Sequence, residues 1–300
     1  MENYKDIMGV TFRKVRESRD ISLRAASKGV LSKSQLSRFE KNESQIKASA
    51  LFQLLENIGA SPEEFFYIMR QFESDNFSRL FHIMGIYEQE SNWSELKKIY
   101  SKCIKKYQET LNLNFRIQAI SIKAILYGHK QIENLSKNET EFTIKLLYDN
   151  LNWGLRELRL FNCTLAFLPY SITTELLEDI LKRSSYYSNI AENRQIIIMI
   201  LRGATWNSLT HRDFQHALQY RGHVKEIAAL YSDYFAWMVL KQLAYSYEKE
   251  KGNLERASQE LEEYVVILKN LGNNYEAESC EEELNKLKKE IKKLRKNGTN

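Results

Sequence analysis

The sequence predicts an all-α protein, with a small N-terminal helical domain followed by a longer α-solenoid. Proline occurs twice and glycine eleven times in 300 residues, so few positions interrupt a helix. Beyond residue 72, helical patterns of about 15 to 20 residues recur, separated by short polar turns such as those at 251–253 and 271–273. The hydrophobic content of 43% suffices for packed cores. We therefore expect long helices joined by short turns, in two domains.

A short helix is predicted to begin after Ser22, whose side chain can cap the first turn. Gly29 is expected to end this segment, because glycine readily adopts the left-handed conformation that closes a helix. Small side chains on the buried side would let a second helix approach closely. The residues expected on that buried side are Leu23, Ala25, Ala26 and Ser27.

A second helix is predicted from Ser32 to about Lys41, with Leu36 and Phe39 facing inward. Its outward side chains are hydrogen-bond donors without an acidic residue among them, as suits a helix placed between phosphates and base edges in the major groove. The alternative is a small amphipathic bundle with no role in DNA binding. The outward residues are Lys33, Ser34, Ser37, Arg38 and Lys41.

The order of these residues resembles the Xre type of helix-turn-helix found in phage repressors. The resemblance covers roughly residues 4–69 and rests on Arg16-Glu17, Ser22, the Ala25-Ala26 pair, the run SKSQLSRFE at 32–40 and the aromatic-aliphatic run after Lys47. It implies a five-helix domain and a buried ion pair between Arg16 and Glu40. Asn42 stands where relatives usually have glycine, and asparagine tolerates the left-handed conformation that this turn needs.

The same resemblance implies roles for individual side chains. Base edges would be contacted from the recognition helix by Lys33, Ser34 and Arg38, of which Arg38 can bond both O6 and N7 of guanine. Leu23 replaces a polar residue that contacts phosphate in many relatives. Phosphate contacts would therefore come from Lys41, Arg24 and Arg13.

A domain boundary is predicted near residue 72. Ser61 and Pro62 form a helix start that opens the last helix of the first domain, and polarity rises after that helix. Residues 1–72 are thus expected to bind DNA. Residues 73–300 are expected to form a second domain of helical repeats.

Residues 234–271 resemble a tetratricopeptide unit, with fainter echoes around Trp93 and Phe214. Such units bury their apolar sides only by stacking, so we expect a right-handed solenoid of degenerate tetratricopeptide-like repeats with an extended groove. Grooves of this kind usually hold peptides. The alternative is a helical scaffold without a ligand.

The segment from Leu151 to Asn162, LNWGLRELRLFN, resembles a signature of the Rgg/MutR family of regulators from Gram-positive bacteria. This resemblance implies a homodimer whose repeats bind a short secreted pheromone peptide after its import. Asn162 matches the family's asparagine and is the first candidate for peptide contact. Amide, guanidinium and aromatic side chains suit peptide binding, so Arg202, Tyr234 and Trp237 are further candidates. Arg202 lies in an apolar run and needs an anionic partner.

The C-terminal stretch carries one apolar seam at alternating spacings of four and three residues. We expect it to cap the preceding repeat rather than form a two-stranded coil, because it spans only about two heptads. A dimer formed through this region is the alternative. The seam consists of Cys280, Leu284, Leu287, Ile291 and Leu294.

The charge of the chain is mildly basic, and its cysteine content fits an intracellular protein. The formal charge is +5, and residues 1–60 hold 11 Lys/Arg against 7 Asp/Glu, a surplus of 4. Three widely spaced cysteines fit reduced, mostly buried thiols. No signal peptide or membrane span is expected, so we predict a cytoplasmic protein.

No catalytic constellation is recognisable, and neither a cofactor nor a metal is expected. The histidines lack metal-ligand spacing and are expected to be ordinary polar or cap residues: His82, His129, His211, His216 and His223. We therefore predict a non-enzymatic transcription regulator that binds double-stranded promoter DNA, senses a signalling peptide in quorum sensing and forms a homodimer. The alternatives are a repeat-type interaction scaffold and a ligand-independent repressor.

Overall fold

The computed structural model describes residues 4–71, 76–132, 135–150 and 153–297, and this part of the chain contains helices and no strand. The protein divides into two compact units, residues 1–90 and 91–300. The boundary predicted near residue 72 lies outside the described residues. The predicted all-α architecture is confirmed.

The described residues of the first unit form six helices, and the first five of these make up the predicted five-helix domain. They are α1 (Tyr4–Ser18), α2 (Leu23–Ala26), α3 (Lys33–Glu40), α4 (Ala48–Asn57), α5 (Pro62–Met69) and α6 (Asn76–Gln89). The core of this domain joins all five helices, and its largest fully buried side chains are Phe12, Leu36, Phe39, Leu54, Leu55, Ile58 and Phe65.

The predicted caps are confirmed. The hydroxyl of Ser22 accepts a hydrogen bond from the amide of Ala25 at 3.2 Å, and Ser32 forms a reciprocal capping box with Gln35. Gly29 has the expected left-handed conformation, with φ +74°, but α2 ends earlier, at Ala26, with Ser27 as its C-cap. The recognition helix α3 ends at Glu40, with Lys41 as its cap.

One prediction about α2 is wrong. Ala25, expected on the buried side, is exposed, whereas Ala26 and Ser27 are buried and Leu23 is half-buried. The helix has only four residues, so little more than one turn is available to face the core. Consecutive residues on so short a helix point in directions about 100° apart and cannot all be covered.

Ten α-helices lie in the described part of the second unit. They are α7 (Trp93–Thr110), α8 (Leu113–Gly128), α9 (Lys137–Asp149), α10 (Leu155–Thr164), α11 (Tyr170–Ser188), α12 (Ala191–Thr210), α13 (Phe214–Tyr231), α14 (Tyr234–Glu250), α15 (Leu254–Asn270) and α16 (Asn274–Asn297). A single 3₁₀ turn, Leu165–Phe167, follows α10.

The second unit is a stack of helical pairs. Helices α8, α10, α12 and α14 pack one on the next, while α7 packs on α8, α13 on both α12 and α14, and α15 on α14. The predicted tetratricopeptide-like pair at 234–271 is α14 and α15, joined by a turn at Gly252 with φ +83°. This succession is the predicted α-solenoid.

The C-terminal helix α16 covers the last repeat. Leu284, Leu287 and Ile291 are buried in one cluster with Leu261 and Leu268 of α15. The expected role as a cap is thus confirmed for these positions, whereas Leu294 is 57% exposed.

Candidate DNA-binding helix and peptide site

The face of α3 that points away from the core is polar. Lys33, Ser34, Arg38 and Lys41 are exposed, and Ser37 is half-buried. The three cations have no ion-pair partner among the residues that the structure describes. Their charges are therefore available to an external anion, and phosphates and base edges have the acceptors that such donors bind.

A buried ion pair fixes the end of α3. Arg16 of α1 donates from Nε to Oε1 of Glu40 at 2.6 Å and from Nη2 to Oε2 at 2.8 Å, which is a two-point pairing. The Nη1 group of Arg16 donates to the carbonyl of Ile21 at 2.7 Å. The hydrogen bond with Glu40 raises the pKa of Arg16 above its ordinary value. The pair thus ties α1, the following turn and α3 together.

A close approach of two backbones holds the same end of α3, and sequence reasoning missed it. A Cβ atom added to Gly9 of α1 would lie 1.8 Å from the carbonyl oxygen of Phe39. The amide of Gly9 donates to Oδ1 of Asn42 at 3.2 Å, and Asn42 has φ +59°. Asn42 therefore closes the helix in the left-handed conformation and also bonds α1.

The turn between α2 and α3 is held by a residue that sequence reasoning also missed. The side-chain amide of Asn57, at the end of α4, donates to the carbonyls of Ala26 and Lys28 at 2.8 and 2.9 Å. These bonds connect the turn to a helix about thirty residues away. An asparagine at a helix end has no local signal that distinguishes this role from an ordinary cap.

The two arginines predicted to contact phosphate differ in their surroundings. Arg24 is exposed on α2. Arg13 is exposed on α1, but its Nε lies 2.8 Å from Oε1 of Glu17. A phosphate at Arg13 would therefore have to compete with a carboxylate one turn along the same helix.

Trp153 and Gly154, just before α10, have a structural role. Residues 151 and 152 lie outside the described part. Trp153 is buried, and its indole Nε1 donates to the carbonyl of Leu147 at 3.0 Å. Glu157 accepts from the amide of Gly154 at 3.0 Å and so caps α10. These residues fix the start of the helix that carries Asn162.

The residues predicted to contact peptide lie on successive helices of the stack. Asn162 is half-buried on α10 and Arg202 is half-buried on α12, and these two helices pack against each other. Tyr234 and Trp237 lie on α14, with 83% and 45% of their surface exposed. Trp237 lines a groove to which Asn162, Arg202 and Tyr234 do not contribute.

Arg202 lies on a partly exposed face of α12 that sequence reasoning missed. Gln195, Met199, Arg202 and Trp206 are the less buried positions in the middle of α12, and their spacings of four, three and four residues place them on one face. The Nη1 of Arg202 lies 3.9 Å from the sulfur of Met199. No carboxylate pairs with Arg202 among the described residues. The guanidinium of Arg202 is therefore a half-buried cation that can bind an external anion, as the sequence predicted.

Trp237 faces a different surface. It lines a groove of 430 Å³ together with Leu218 and Gly222 of α13, and Arg202 is not part of that lining. The sequence grouped Trp237 with Arg202 because the helices that carry them were expected to line one groove. The packing of α13 against α14 separates them.

The described histidines are polar and cap residues, as expected. His129 and His211 follow the ends of α8 and α12, and His216 lies 2.7 Å from Asp213 through Nδ1. Within the described residues, no group of three or more His, Cys, Asp or Glu side chains is placed to hold a metal ion. Among those residues, too, no helix is long and apolar enough to cross a membrane.

Comparison with known families decides the assignment. Residues 96–282 match the family described as HTH-type transcriptional regulator Rgg, C-terminal domain, and residues 12–65 match a helix-turn-helix family. The chain belongs to the Rgg family. Its N-terminal helix-turn-helix and its family identify this Rgg protein as a DNA-binding transcriptional regulator, as the sequence predicted.

Solved structures share the fold of this Rgg protein over almost its whole length. The SHP pheromone receptor Rgg2 of Streptococcus dysgalactiae is 22% identical with a TM-score of 0.76, covering 93% of this chain and 99% of its own. A putative transcriptional regulator from Listeria monocytogenes EGD-e is 18% identical with a TM-score of 0.79, covering 95% and 98%. PrgX in its complex with cCF10 is 17% identical with a TM-score of 0.68, covering 94% and 92%.

Proposed function

We propose that this Rgg protein is a cytoplasmic, non-enzymatic homodimer that reads promoter DNA with α3 and senses a short imported signalling peptide with its helical repeats. Binding of the peptide shifts the dimer between arrangements that present the two recognition helices differently. The protein then acts in quorum sensing, because a coupling free energy between the peptide site and the DNA-binding helix links peptide binding to DNA binding.

The observation that carries the DNA-binding part is the exposed donor face of a firmly held α3. In our proposal Lys33, Ser34 and Arg38 meet base edges, and Lys41, Arg24 and Arg13 meet phosphates. Ser37, one turn from Lys33, lies beside them. The buried pair of Arg16 and Glu40 supports this proposal, because a recognition helix must be held rigidly to distinguish base pairs.

The peptide-binding part is supported by Arg202 and by the relatives. Rgg2 is described as a pheromone receptor and PrgX was solved with cCF10. In our chain, a peptide carboxylate would supply the anion that Arg202 lacks, and the amide of Asn162 on the neighbouring helix would bond the peptide backbone. Tyr234 offers an exposed aromatic ring at the start of α14, the helix that packs on α12. Trp237 is left out of this site because it lines the groove with α13.

A footprint on the promoter of the protein's own gene tests the proposal. We expect protection of two half-sites about one helical turn apart, as a two-fold symmetric dimer requires. Peptides from the medium of a dense culture should change the protein concentration needed for half protection. If no peptide alters the protection, the protein is a DNA-binding regulator that does not sense a peptide, which is the ligand-independent repressor. Loss of all protection would favour the interaction scaffold.

A further inference from the structure

The groove beside Trp237 is an apolar surface that the proposed peptide site does not use. Helices α13 and α14 supply most of its lining, α15 contributes Glu260, and its volume is 430 Å³. Leu218 and Trp237 are 48% and 45% exposed there, and Leu240 is half-buried. Large apolar side chains exposed together in a concavity are typical of binding surfaces.

Gly222 is a second, independent feature of this groove. It lies in the interior of α13, where glycine is a poor helix former. A Cβ atom built on it would have no heavy atom within 4 Å, so packing within the protein does not require a glycine here. The missing side chain widens the groove and leaves the backbone of α13 open to close approach by another molecule.

The charges at the rim of the groove that have no ion-pair partner among the described residues are both positive. Arg221 and Lys225 lie four residues apart on α13, and neither has an ion-pair partner among the described residues. Lys241 of α14, by contrast, is neutralised by Glu263 at 2.5 Å and Glu260 at 3.6 Å. The side of the groove formed by α13 therefore presents two uncompensated cations next to apolar surface.

We infer that this groove docks an acidic amphipathic segment of another protein. Apolar side chains of the segment fill the space over Gly222 and Trp237, and its carboxylates pair with Arg221 and Lys225. The site is distinct from the proposed peptide site at Asn162 and Arg202.

A second copy of this chain is a poorer occupant. The start of α16 has the required chemistry, since Tyr275 is 73% exposed and Glu278 and Glu282 are exposed beside it. This contact would join two different surfaces, so each copy would offer another free groove to the next copy. Contacts of that kind build open chains unless the rotation closes. A foreign segment leaves no such unfilled surface.

Fluorescence polarisation with two labelled probe peptides tests the inference on the full chain. One probe is a 14-residue amphipathic helix of Glu and Leu, and the other has Lys at every Glu position. We expect the acidic probe to bind and the basic probe to bind at least about tenfold more weakly. Gly222→Leu, which fills the groove, should lower the affinity for the acidic probe by at least about tenfold. The double variant Arg221→Glu with Lys225→Glu should reverse the preference between the probes.

Gly85→Leu is the matched control, because Gly85 is also a helical glycine with open space around its Cβ position. It should leave probe binding unchanged. Circular dichroism should show that both leucine variants remain folded, with a melting temperature at or above that of the wild type.

Four results would overturn the inference. The first is that the acidic probe fails to bind the wild type. The second is that this probe binds the wild type and Gly222→Leu with equal affinity. The third is that the signalling peptides of the culture medium displace the probe. The fourth is concentration-dependent self-association of the wild type, seen in sedimentation, that Gly222→Leu abolishes. That result would assign the groove to a second copy.

Discussion

Arg38 and Lys41 lie within one turn of each other, yet we expect different consequences from their loss. Arg38→Ala should relax sequence preference by about 1–3 kcal/mol at one base pair, because a guanidinium bonds two acceptors of guanine. Lys41→Ala should weaken binding to all sequences alike and reduce the slope of log affinity against log salt by about one. Mobility shifts with the promoter and with random DNA at several salt concentrations measure both effects.

The two variants serve as controls for each other, since both remove an exposed cation from the same face. Equal losses on promoter and random DNA for Arg38→Ala would contradict its role in reading bases. A change of preferred sequence with Lys41→Ala would contradict its assignment to phosphate.

Gly9 offers a prediction about stability. Gly9→Ala places a Cβ atom against the carbonyl of Phe39, so α1 and α3 must separate, which should lower the free energy of unfolding by about 1–3 kcal/mol. Gly85→Ala, in open space on α6, should instead raise it by about 0.5–1 kcal/mol. Urea denaturation followed by circular dichroism compares them. Stabilisation by both alanines would show that the close approach of α1 and α3 is not needed.

Whole helices were predictable where a local signal marks their ends. Ser32 with Gln35 and Ser61 with Pro62 define helix starts by contacts within one turn, and these positions agree with the structure. The exposure of Ala25 was not predictable in this way, because it depends on how four residues sit against distant helices. The apolar seam of α16 showed which face is buried, and packing on α15 showed what covers it.

The docking of α16 has a pH dependence that can be tested through Glu283. Lys249 of α14 donates to Oε1 of Glu283 at 2.5 Å, and this bond lowers the pKa of Glu283 below its usual range. A lowered folded-state pKa means that the stabilisation is complete above the ordinary pKa near 4.5 and is lost as the pH falls through the folded-state value. The pair is partly exposed, so we expect about 0.5–1 kcal/mol at neutral pH.

Glu283→Gln should therefore destabilise the protein at pH 7, and this effect should fade as the pH falls below the folded-state pKa, where the wild-type carboxyl is also neutral. Glu278→Gln, at an exposed position of the same helix, is the control and should leave the stability unchanged at both neutral and acidic pH. Thermal unfolding over this pH range provides the comparison. A destabilisation that persists unchanged in acid would assign the effect to packing instead of charge.

For the molecule as a whole, the central prediction is reciprocity between the two proposed sites. If bound peptide changes DNA affinity by some factor, then bound DNA must change peptide affinity by the same factor. Arg202→Gln should remove both effects by weakening peptide binding at least about tenfold, while DNA binding without peptide stays at the wild-type level. Titration of a peptide with and without saturating promoter DNA measures the factor.

Arg194 of the same helix provides the contrast. It lies 3.3 Å from Asp233 and over the ring of Tyr231, so Arg194→Gln should lower the melting temperature of the repeats. Arg202 has no such ion pair with any residue that the structure describes, so it should be replaceable without loss of stability. A large stability loss in Arg202→Gln would assign this residue to the fold instead of the ligand.

Residue order alone determined the all-α architecture, the helix-turn-helix with its polar outer face, the stacked helical pairs and the regulator function. Caps, turns and amphipathic faces are set by neighbours within one or two helical turns, so a linear pattern contains them. Packing determined the rest, including the contact of Gly9 with Phe39, the bonds of Asn57 to the turn and the separation of Trp237 from Arg202. Each of these features relates segments about thirty or more residues apart, so its geometry exists only once the helices have packed.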